Sequence, residues 1–589
     1  MGNLRPVLLI SLGLLGYMLW IEWQKDYPAP LPQATTEAVS KPLASTSEGK
    51  GDLPGGDLPG GDGQQRSADA ADLPQPQEPI QAAAGQQPVT APADGQEVMT
   101  AASPTASPTV AVSTDLLSLQ ITLQGGTVVS AQLLDYPADA ADPEIKVNLL
   151  EPQGEHLFIA QSGLLSHQSA PNHTALYESS QREYRLADGA DELSVPLTWH
   201  SADGIQVTKT FVFKRGRYDI EVRHQLENGS AQTWSGSRYD QLQRSVTADQ
   251  QKRGFANPSS YSFRGIGFYS PQDKFEKIAF DKVAKEPVNK TFSGGWLAMI
   301  QHYFFAAWIP ATDEQATYST QVISPSGGGL PRYIVRDVSP VQSAIPGSHV
   351  EFDSRLYLGP KLQDHLSQVA PGLEHTVNYG IFTVFSKPLF WLLSHIHKLV
   401  GNWGWSIVLL TVLVKAVFFK LTETQYKSMA RMRKLQPRIE QLKERYGDDR
   451  QRMSQAMMEL YKTEKANPLS GCLPMLVQIP VFIALYWVLL ESVELRQAPF
   501  ILWVTNLSVR DPYFVLPLLN ASFMIATQRL TPMAGMDPLQ AKMMSLMPVV
   551  FAVMFAFFPA GLVLYWATNA GLSLAQQVYI TRKIAAGDK

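Results

Sequence analysis

The spacing of hydrophobic positions divides the chain into four regions. Residues 6–23, "PVLLISLGLLGYMLWIEW", are apolar over a length that can cross a bilayer, and we expect an uncleaved transmembrane anchor. Residues 28–113 are rich in Pro, Ala, Gly, Gln and Ser and offer little to bury, so they are predicted to form a disordered linker. A region with alternating hydrophobic positions follows, and the last third of the chain has apolar positions at helical spacing.

The alternating region predicts a large all-β domain, most simply a sandwich. In "LLSLQITL", residues Leu117, Leu119, Ile121 and Leu123 fall on one face of a strand. Two alternating runs flank Asp203-Gly204, which is a strong hairpin signal. His224 lies within another alternating run, so we interpret it as a packed or solvent-exposed strand residue and not as a catalytic one.

After residue 370 the hydrophobic positions step by threes and fours, which predicts helices. Residues 371–402 are broken by Pro388 and keep Lys387, His395 and Lys398 among aromatic and aliphatic positions. We therefore expect an amphipathic helix on the membrane surface. Five apolar segments follow, and together with the anchor they predict six transmembrane spans.

The segment between the first two of these five spans, residues 422–467, is rich in Lys and Arg. Short basic loops stay in the cytoplasm, which places the β domain on the outer side and both termini in the cytoplasm. Apolar positions at helical spacing predict one helix that ends at Gly447 and a second helix after it. Their Met-rich stripe either packs the two helices on each other or offers an adaptable surface to an apolar polypeptide. The residues singled out in this hairpin are Met429, Arg431, Met432, Arg433 and Met457.

One charged residue interrupts the first of the five spans. Lys415 stands in "WSIVLLTVLVKAVFFKL", where a charge costs about 2.5–3.5 kcal/mol on insertion. Thr411 lies four residues earlier and shares its helical face. The cores of the spans contain no Asp or Glu, so the sequence offers Lys415 no acidic partner. The lysine either extends towards the cytoplasmic interface or lines a hydrated cationic recess that opens to the cytoplasm.

Composition and motifs argue against several classes of function. The 589 residues carry a net charge of -4, which does not suggest nucleic-acid binding, and the one cysteine forms no intramolecular disulfide. We find no Walker-type phosphate loop, no HExxH motif and no paired carboxylates in the spans. His395 and His397 are two residues apart and do not share a helical face. We therefore expect no enzymatic activity, no cofactor and no metal.

Several stretches resemble the YidC membrane protein insertases, which are related to insertases of mitochondria and chloroplasts. They are "NPLSGCLPMLVQIPVFIALYW" within residues 426–500, "DPYFVLP" at 511–517, "FPAGLVLYW" at 558–566 and "WLAMIQHYFFAAWIP" at 296–310. The resemblance implies a multi-domain membrane protein with a six-span α-helical bundle, formed by a five-span core and the N-terminal anchor. It also implies a large all-β periplasmic super-sandwich, similar in shape to sugar mutarotases, and a cytoplasmic helical hairpin.

The resemblance further implies a groove that is closed outward and open to cytoplasm and lipid, with a cationic residue inside. That residue is usually Arg in the family and is Lys415 here; an arginine stays charged, whereas a desolvated lysine can lose its proton. The candidate groove residues are Lys415, Thr411, Gln478, Ile479, Pro480, Phe482, Tyr565, Trp566, Asn569 and Ser573.

By resemblance, the expected function is the insertion and folding of nascent membrane proteins in the bacterial inner membrane, alone and with the Sec translocon. The expected partners are these nascent chains, Sec components, the lipid bilayer, and the ribosome with the signal recognition pathway, but no small-molecule substrate. The short C-terminal tail "TRKIAAGDK" weakens the expectation of a ribosome contact. A channel or solute-carrier subunit and a carbohydrate-active enzyme are the rival interpretations.

The predicted segments are the anchor (1–27), linker (28–113), β domain (114–370), interfacial helix (371–402), spans two to six (403–421, 471–491, 512–529, 543–559 and 560–581), cytoplasmic hairpin (422–470), periplasmic loop (492–511), cytoplasmic loop (530–542) and cytoplasmic tail (582–589).

Overall fold

The computed structural model describes residues 108–140, 142–153, 156–247, 262–324, 329–447, 449–464, 473–530 and 538–587. The chain divides into a unit of residues 1–65 with 431–468 and a unit of residues 66–430 with 469–589, and each is described by itself below. The predicted anchor and most of the predicted linker lie outside the described residues.

Strands make up the first part of the larger unit. They are β1 (Thr109–Ser113), β2 (Leu117–Thr122), β3 (Val128–Pro137), β4 (Lys146–Leu150), β5 (Phe158–Ser166), β6 (Glu183–Arg185), β7 (Glu192–His200), β8 (Ile205–Lys214), β9 (Asp219–Asn228), β10 (Trp234–Ser245), β11 (Gly265–Ser270), β12 (Lys274–Ala279), β13 (Asn289–Ser293), β14 (Trp296–Ile300), β15 (Phe304–Pro310), β16 (Gln315–Ile323), β17 (Arg332–Val338), β18 (Gln342–Ala344) and β19 (His349–Pro360).

These strands form two sheets, which confirms the predicted all-β domain. The first sheet has the order β13-β16-β17-β10-β5-β3-β2-β1-β6, with β18 paired to β10 and β4 paired to β3. The second has the order β12-β11-β14-β15-β19-β9-β8-β7. The tryptophan rings of Trp234, Trp296 and Trp308 are fully buried, as expected for a core built from facing strand positions.

The period-two pattern is confirmed in detail. Leu117, Leu119, Ile121 and Leu123 are all buried. The hairpin predicted at Asp203-Gly204 joins β7 to β8, and Gly204 has a φ of 91°, a backbone conformation that glycine adopts without strain.

One predicted boundary is wrong. The linker was expected to reach residue 113, but Thr109–Ser113 forms β1, which pairs with β2 and β6. Val110 and Val112 are buried on one side of this strand. Buried and exposed positions therefore alternate already in these five residues, although the preceding sequence has the composition of a linker.

The helices are α1 (Phe280–Val283), α2 (Gln363–Val369), α3 (Thr383–Val400), α4 (Trp403–Val417), α5 (Phe419–Lys434), α6 (Gln436–Tyr446), α7 (Arg450–Thr463), α8 (Leu473–Glu491), α9 (Val515–Leu530), α10 (Pro538–Phe555) and α11 (Ala560–Gly587). Helix α4 ends at Val417, so the apolar segment predicted as a span over 403–421 is divided between α4 and the start of α5. Within the described ranges no single helix is long and apolar enough to cross a membrane; Trp403–Val417 and Phe419–Ser428 pass that criterion as a pair, with a bend of 63° between them.

Two prolines, Pro388 and Pro437, differ in their effect on the helices. Residues 371–402 were expected to be broken at Pro388, but Pro388 lies inside α3, which continues to Val400. By contrast, the helix predicted to run up to Gly447 is interrupted at Leu435. Pro437 lies in the first turn of α6, where it disfavours a continuous helix through the preceding residues.

In the smaller unit, α6 and α7 pack on each other. Leu435 and Ile439 are buried against Met457, Leu460 and Tyr461. Arg438 forms an ion pair with Glu464. Asp449 accepts hydrogen bonds from the backbone N–H groups of Gln451 and Arg452 at 3.1 and 3.0 Å, and thereby caps the start of α7.

Candidate functional site

The cationic residue of the candidate groove points across the helix bundle. Lys415 lies in the last turn of α4, and only 8% of its surface is exposed. Its Nζ donates a hydrogen bond to Oγ of Ser573 on α11 at 2.8 Å. The side chain therefore reaches a neighbouring helix and does not extend along its own helix towards Lys420.

Ser573 is itself held in a fixed orientation. Its hydroxyl donates to the backbone oxygen of Asn569 at 2.7 Å, so its lone pairs are left to accept from Lys415. The hydroxyl of Tyr426 on α5 donates to the backbone oxygen of Ser573 at 3.2 Å. Three helices thus meet at Ser573. Sequence analysis did not identify Tyr426, because its partner is distant in the chain.

The ammonium group of Lys415 keeps unused hydrogen-bonding capacity. A lysine ammonium has three N–H donors, and the structure assigns one of them to Ser573. In the part of the chain that the structure describes, no carboxylate lies within 4.0 Å of this ammonium. The site is therefore a buried cation with a neutral partner and spare donors.

Helix α8 forms a second side of the candidate groove. Nε2 of Gln478 donates to Oδ1 of Asn569 on α11 at 2.7 Å. The ring of Phe482, one turn further along α8, lies 4.4 Å from the ring of Trp566 and 6.3 Å from that of Tyr565. Polar residues on α11 thus continue into an aromatic cluster within the same pair of helices.

The remaining predicted groove residues differ in exposure. Thr411 is buried, and its hydroxyl donates to the backbone oxygen of Ile407 at 2.7 Å, so its hydrogen is used within α4. Ile479 is 44% exposed, and Pro480 is half-buried beside it.

Some buried polar atoms of helices α9 and α11 have no hydrogen-bond partner among the described residues. They are Nε1 of Trp566 and Oε1 of Gln576 on α11, and Oδ1 of Asn520 on α9. Buried polar groups are normally satisfied by protein or by ordered water. These atoms are therefore places where water or a polar part of a ligand would be stabilised.

The residues singled out in the predicted hairpin are only partly described. Met457 packs against the buried pair Leu435 and Ile439. The side chains of Met429, Arg431, Met432 and Arg433 lie outside the described part of the structure.

The β domain contains buried cations of a different kind. Lys209 is fully buried, and its Nζ donates to the backbone oxygens of Gly125, Gly126 and Ser162, each at 3.0 Å. These three acceptors use all three of its N–H donors.

The second buried cation of the β domain, Arg238, is paired with three carboxylates. They belong to Asp240, Glu314 and Asp337, at 2.8, 2.9 and 3.2 Å. His224 is also buried in this domain; burial near Lys209 and Arg238 keeps its pKa well below the ordinary value, so the ring is neutral.

The β domain contacts the end of α8 through buried polar groups. Nε2 of His302 donates to the backbone oxygen of Leu490 at 2.8 Å. Lys361 lies 4.0 Å from the carboxylate of Glu491. A carboxylate oxygen of Glu494 accepts from the backbone N–H of Gln363 at 3.3 Å, and burial raises the pKa of Glu494 to about 7. These contacts therefore hold the C-terminal end of α8, the helix that carries Gln478 and Phe482, against the β domain.

Comparisons with known proteins agree with this architecture. The sequence profile of the YidC periplasmic domain matches residues 109–392, and the profile of the 60Kd inner membrane protein matches residues 395–587. The chain is thus an inner membrane protein with a large all-β periplasmic domain.

Full-length relatives are similar along the whole chain. The proteins named membrane protein insertase YidC from Thioalkalivibrio sulfidiphilus and Nitrosococcus oceani are each 45% identical, over 100% and 99% of both chains. The protein of that name from Pseudomonas fluorescens is 43% identical over 99% of both chains. The chain belongs to the YidC family of membrane protein insertases.

Solved structures give weaker matches. A crystal structure of an active YidC insertase with its first transmembrane domain covers 80% of this chain and 92% of its own, at 18% identity and a TM-score of 0.37. A galactose mutarotase related enzyme from Lactobacillus acidophilus covers 42% of this chain and 97% of its own, at 8% identity and a TM-score of 0.28. The mutarotase-like shape of the β domain stays a prediction.

Proposed function

We propose that Lys415 and the polar face of α11 form the groove through which this insertase passes the polar flank of a nascent membrane protein. The observation that carries the proposal is the buried ammonium of Lys415, which is held by the neutral hydroxyl of Ser573 and has donors to spare. An acidic flank of a client would find a partner there. A charge-assisted hydrogen bond contributes about 1.5–3 kcal/mol, enough to bias the path of that flank.

We expect hydration between the helices to favour the same step. The unsatisfied atoms of Trp566, Gln576 and Asn520 favour hydration between the spans. A hydrated recess reduces the thickness of hydrocarbon that a polar flank crosses. The membrane potential adds about 2.3 kcal/mol per charge per 100 mV for an acidic segment that moves outward.

The apolar part of the client leaves on the other side of the groove. Ile479 is exposed on α8, and Phe482 lies one turn away. A hydrophobic segment that slides past these residues into lipid gains about 25 cal/mol for each Å² of apolar surface removed from water. The process needs no covalent chemistry and no cofactor, and the protein acts as an insertase and chaperone, not as an enzyme.

The membrane arrangement that goes with this function has six spans, with both termini and the α6–α7 hairpin in the cytoplasm. The basic loop around the hairpin supports this orientation by the positive-inside rule. Helix α3 suits the membrane surface, because Val384, Trp391 and Leu399 are exposed on it while Phe390 and Leu393 are buried. The hairpin would receive the client, and the Sec translocon and the ribosome with its signal recognition pathway are the proposed partners.

The test is the insertion of a small single- or double-span client with an acidic outgoing tail into vesicles that carry Lys415→Ala or Lys415→Glu. We expect Lys415→Ala to slow insertion and Lys415→Glu to slow it further, whereas Lys415→Arg preserves it. If Lys415→Glu inserts the acidic-tailed client at the normal rate, the electrostatic part of this proposal is wrong. The rival function of a channel would instead be indicated by a conductive path open to both faces.

A further inference from the structure

The segment between α8 and α9 is a closely hydrogen-bonded loop. The backbone N–H of Phe500 donates to the oxygen of Val504 at 2.9 Å, and that of Leu507 donates to the oxygen of Ala498, also at 2.9 Å. Nε1 of Trp503 donates to Oδ1 of Asp511 at 3.0 Å. The loop therefore holds its tip in a defined position.

The tip of this loop is a tight turn with apolar side chains that face outward. The N–H of Val504 donates to the oxygen of Ile501 at 3.1 Å, which closes the turn. Ile501 is 41% exposed and Leu502 is 78% exposed. Leu502 has a φ of +53°, a conformation that favours glycine or asparagine and is strained for leucine. A bulky apolar side chain is thus retained at a position where the turn itself prefers another residue.

The same apolar surface continues along α4. Trp405, Leu409 and Leu413 are exposed and spaced by four, so they share one face of that helix. The ring of Trp405 lies 5.4 Å from the ring of Phe500, beside the turn. Gly404 permits this approach, because a Cβ at that position would lie 2.1 Å from the Phe500 ring. The turn therefore extends an exposed apolar strip of a proposed membrane span.

Two further observations indicate what covers the turn. Residues 498–509 contain no Asp, Glu, Lys or Arg, which suits the hydrocarbon side of the lipid interface better than contact with charged headgroups. Nη2 of Arg496, at the start of the loop, donates to the backbone oxygen of Pro137 in the β domain at 2.7 Å. The turn thus lies on the side of the spans that faces the periplasmic domain.

We propose that the turn Ile501–Val504 inserts into the outer leaflet of the inner membrane and that phospholipid acyl chains cover Leu502. This is an added lipid-binding surface that lies outside the groove. It requires the membrane location of the family, but not the role proposed for Lys415.

The test uses site-specific fluorescence in phospholipid vesicles. Cys472 is the one cysteine of the chain, so Cys472→Ser gives a background for Leu502→Cys labelled with an environment-sensitive NBD probe. Phospholipids with a doxyl quencher near the top of the acyl chain should quench this label several-fold more than a label at Asp188→Cys. Asp188 is exposed in the turn between β6 and β7 and serves as the matched control.

Two results would overturn the proposal. The first is quenching at Leu502→Cys equal to that at Asp188→Cys, which would place the turn in water. The second is a blue-shifted label that lipid quenchers do not reach, which would show that protein, either a client or a second copy, covers the turn.

A second pair of variants tests the role of the leucine side chain. With the label at Ile501→Cys, Leu502→Asp should reduce quenching by doxyl lipid, because a charge holds the turn in water, while aspartate tolerates the positive φ. Leu502→Gly relieves the backbone strain without adding a charge and should retain more quenching. Equal quenching in Leu502→Asp and in the unaltered turn would contradict insertion driven by this residue.

Discussion

The β domain and the helix bundle both bury cations, but they provide them with different partners. Lys209 in the β domain donates to three backbone oxygens, and Arg238 is surrounded by three carboxylates. Lys415 in the bundle donates to one neutral hydroxyl, that of Ser573. Burial alone therefore does not distinguish a structural charge from one that is available to a ligand.

The two kinds of buried cation differ in how many of their N–H donors are already hydrogen-bonded to the protein. A buried cation whose donors are all used holds strands together, and its removal leaves acceptors without partners. A buried cation with spare donors raises the free energy of the empty site, and a client or water can lower it again. This contrast supports a structural role for Lys209 and Arg238 and a binding role for Lys415.

The largest effect on stability is expected for Arg238→Leu. It leaves the buried Asp240 and Asp337 and the half-buried Glu314 without their cation, and breaking a buried pair in this way costs about 3–5 kcal/mol. Chemical denaturation of the full chain in detergent, followed by hydrogen exchange in β10 and β17, measures this loss. The control is Lys290→Met, which breaks an exposed ion pair with Glu276 and should cost less than about 1 kcal/mol. Equal losses of stability in Arg238→Leu and Lys290→Met would show that the buried ion pairs of Arg238 contribute no more than the exposed ion pair of Lys290.

The same substitution at Lys209 and at Lys415 should have different effects on stability. Lys209→Met removes one donor from each of three backbone oxygens and should lower the free energy of unfolding by roughly 2–4 kcal/mol. Lys415→Met takes the donor from one oxygen only, that of the half-buried Ser573 hydroxyl, which still donates to Asn569, so stability should change by less than about 1 kcal/mol.

Activity should respond in the opposite order. Lys415→Met should slow insertion of an acidic-tailed client about tenfold, which corresponds to about 1.4 kcal/mol. Lys209→Met should affect insertion only as far as it lowers the amount of folded protein. A large loss of stability in Lys415→Met with normal insertion would reverse the two assigned roles.

The junction between the β domain and α8 gives a prediction about pH. Burial raises the pKa of Glu494 to about 7, whereas an unfolded glutamate titrates near its ordinary value of about 4.3. Between these values the folded state binds more protons than the unfolded state, so the free energy of unfolding falls as pH rises from about 4.5 to 7.

Replacing Glu494 by Gln should remove this fall, because the amide keeps an acceptor for the N–H of Gln363 and never ionises. Melting temperatures at pH 5 and pH 8 measure the effect. We expect similar values at pH 5 and a variant that is more stable by roughly 1–2 kcal/mol at pH 8. A variant that is less stable at pH 8 would show that the charged carboxylate is stabilised at the junction.

The smallest effect on insertion is expected for Ser573→Ala. It removes the one protein partner of the Lys415 ammonium that the described residues provide, but water can replace a single neutral acceptor. Insertion of an acidic-tailed client should fall a few-fold at most, and Ser573→Thr should restore it. A loss as large as that of Lys415→Met would mean that Ser573 contributes more than positioning.

The sequence predicted the β domain well because each strand carries its own signal. The alternation of Leu117, Leu119 and Ile121 and the turn at Gly204 are local patterns, and both were confirmed. The family was also recognisable from short motifs. The break at Leu435 was missed, although Pro437 beside it was a local signal for it.

The partners inside the bundle were not predictable in the same way. Ser573 lies 158 residues from Lys415 in the chain, and Tyr426 lies 147 residues from Ser573. A helical pattern indicates which face of a helix is polar, but not which helix that face meets. The contacts of His302 and Lys361 with the end of α8 were missed for the same reason, because they depend on how the β domain packs on the helices.

We propose that Lys415 acts on its client through its charge. The most direct measurement is the insertion rate of two otherwise identical clients, one with an acidic tail and one with a basic tail, by the unaltered protein and by Lys415→Glu. The vesicles should carry no membrane potential, since the potential itself acts on the tail. We predict that Lys415→Glu slows the acidic-tailed client and speeds the basic-tailed one, whereas an equal change for both tails would contradict the account.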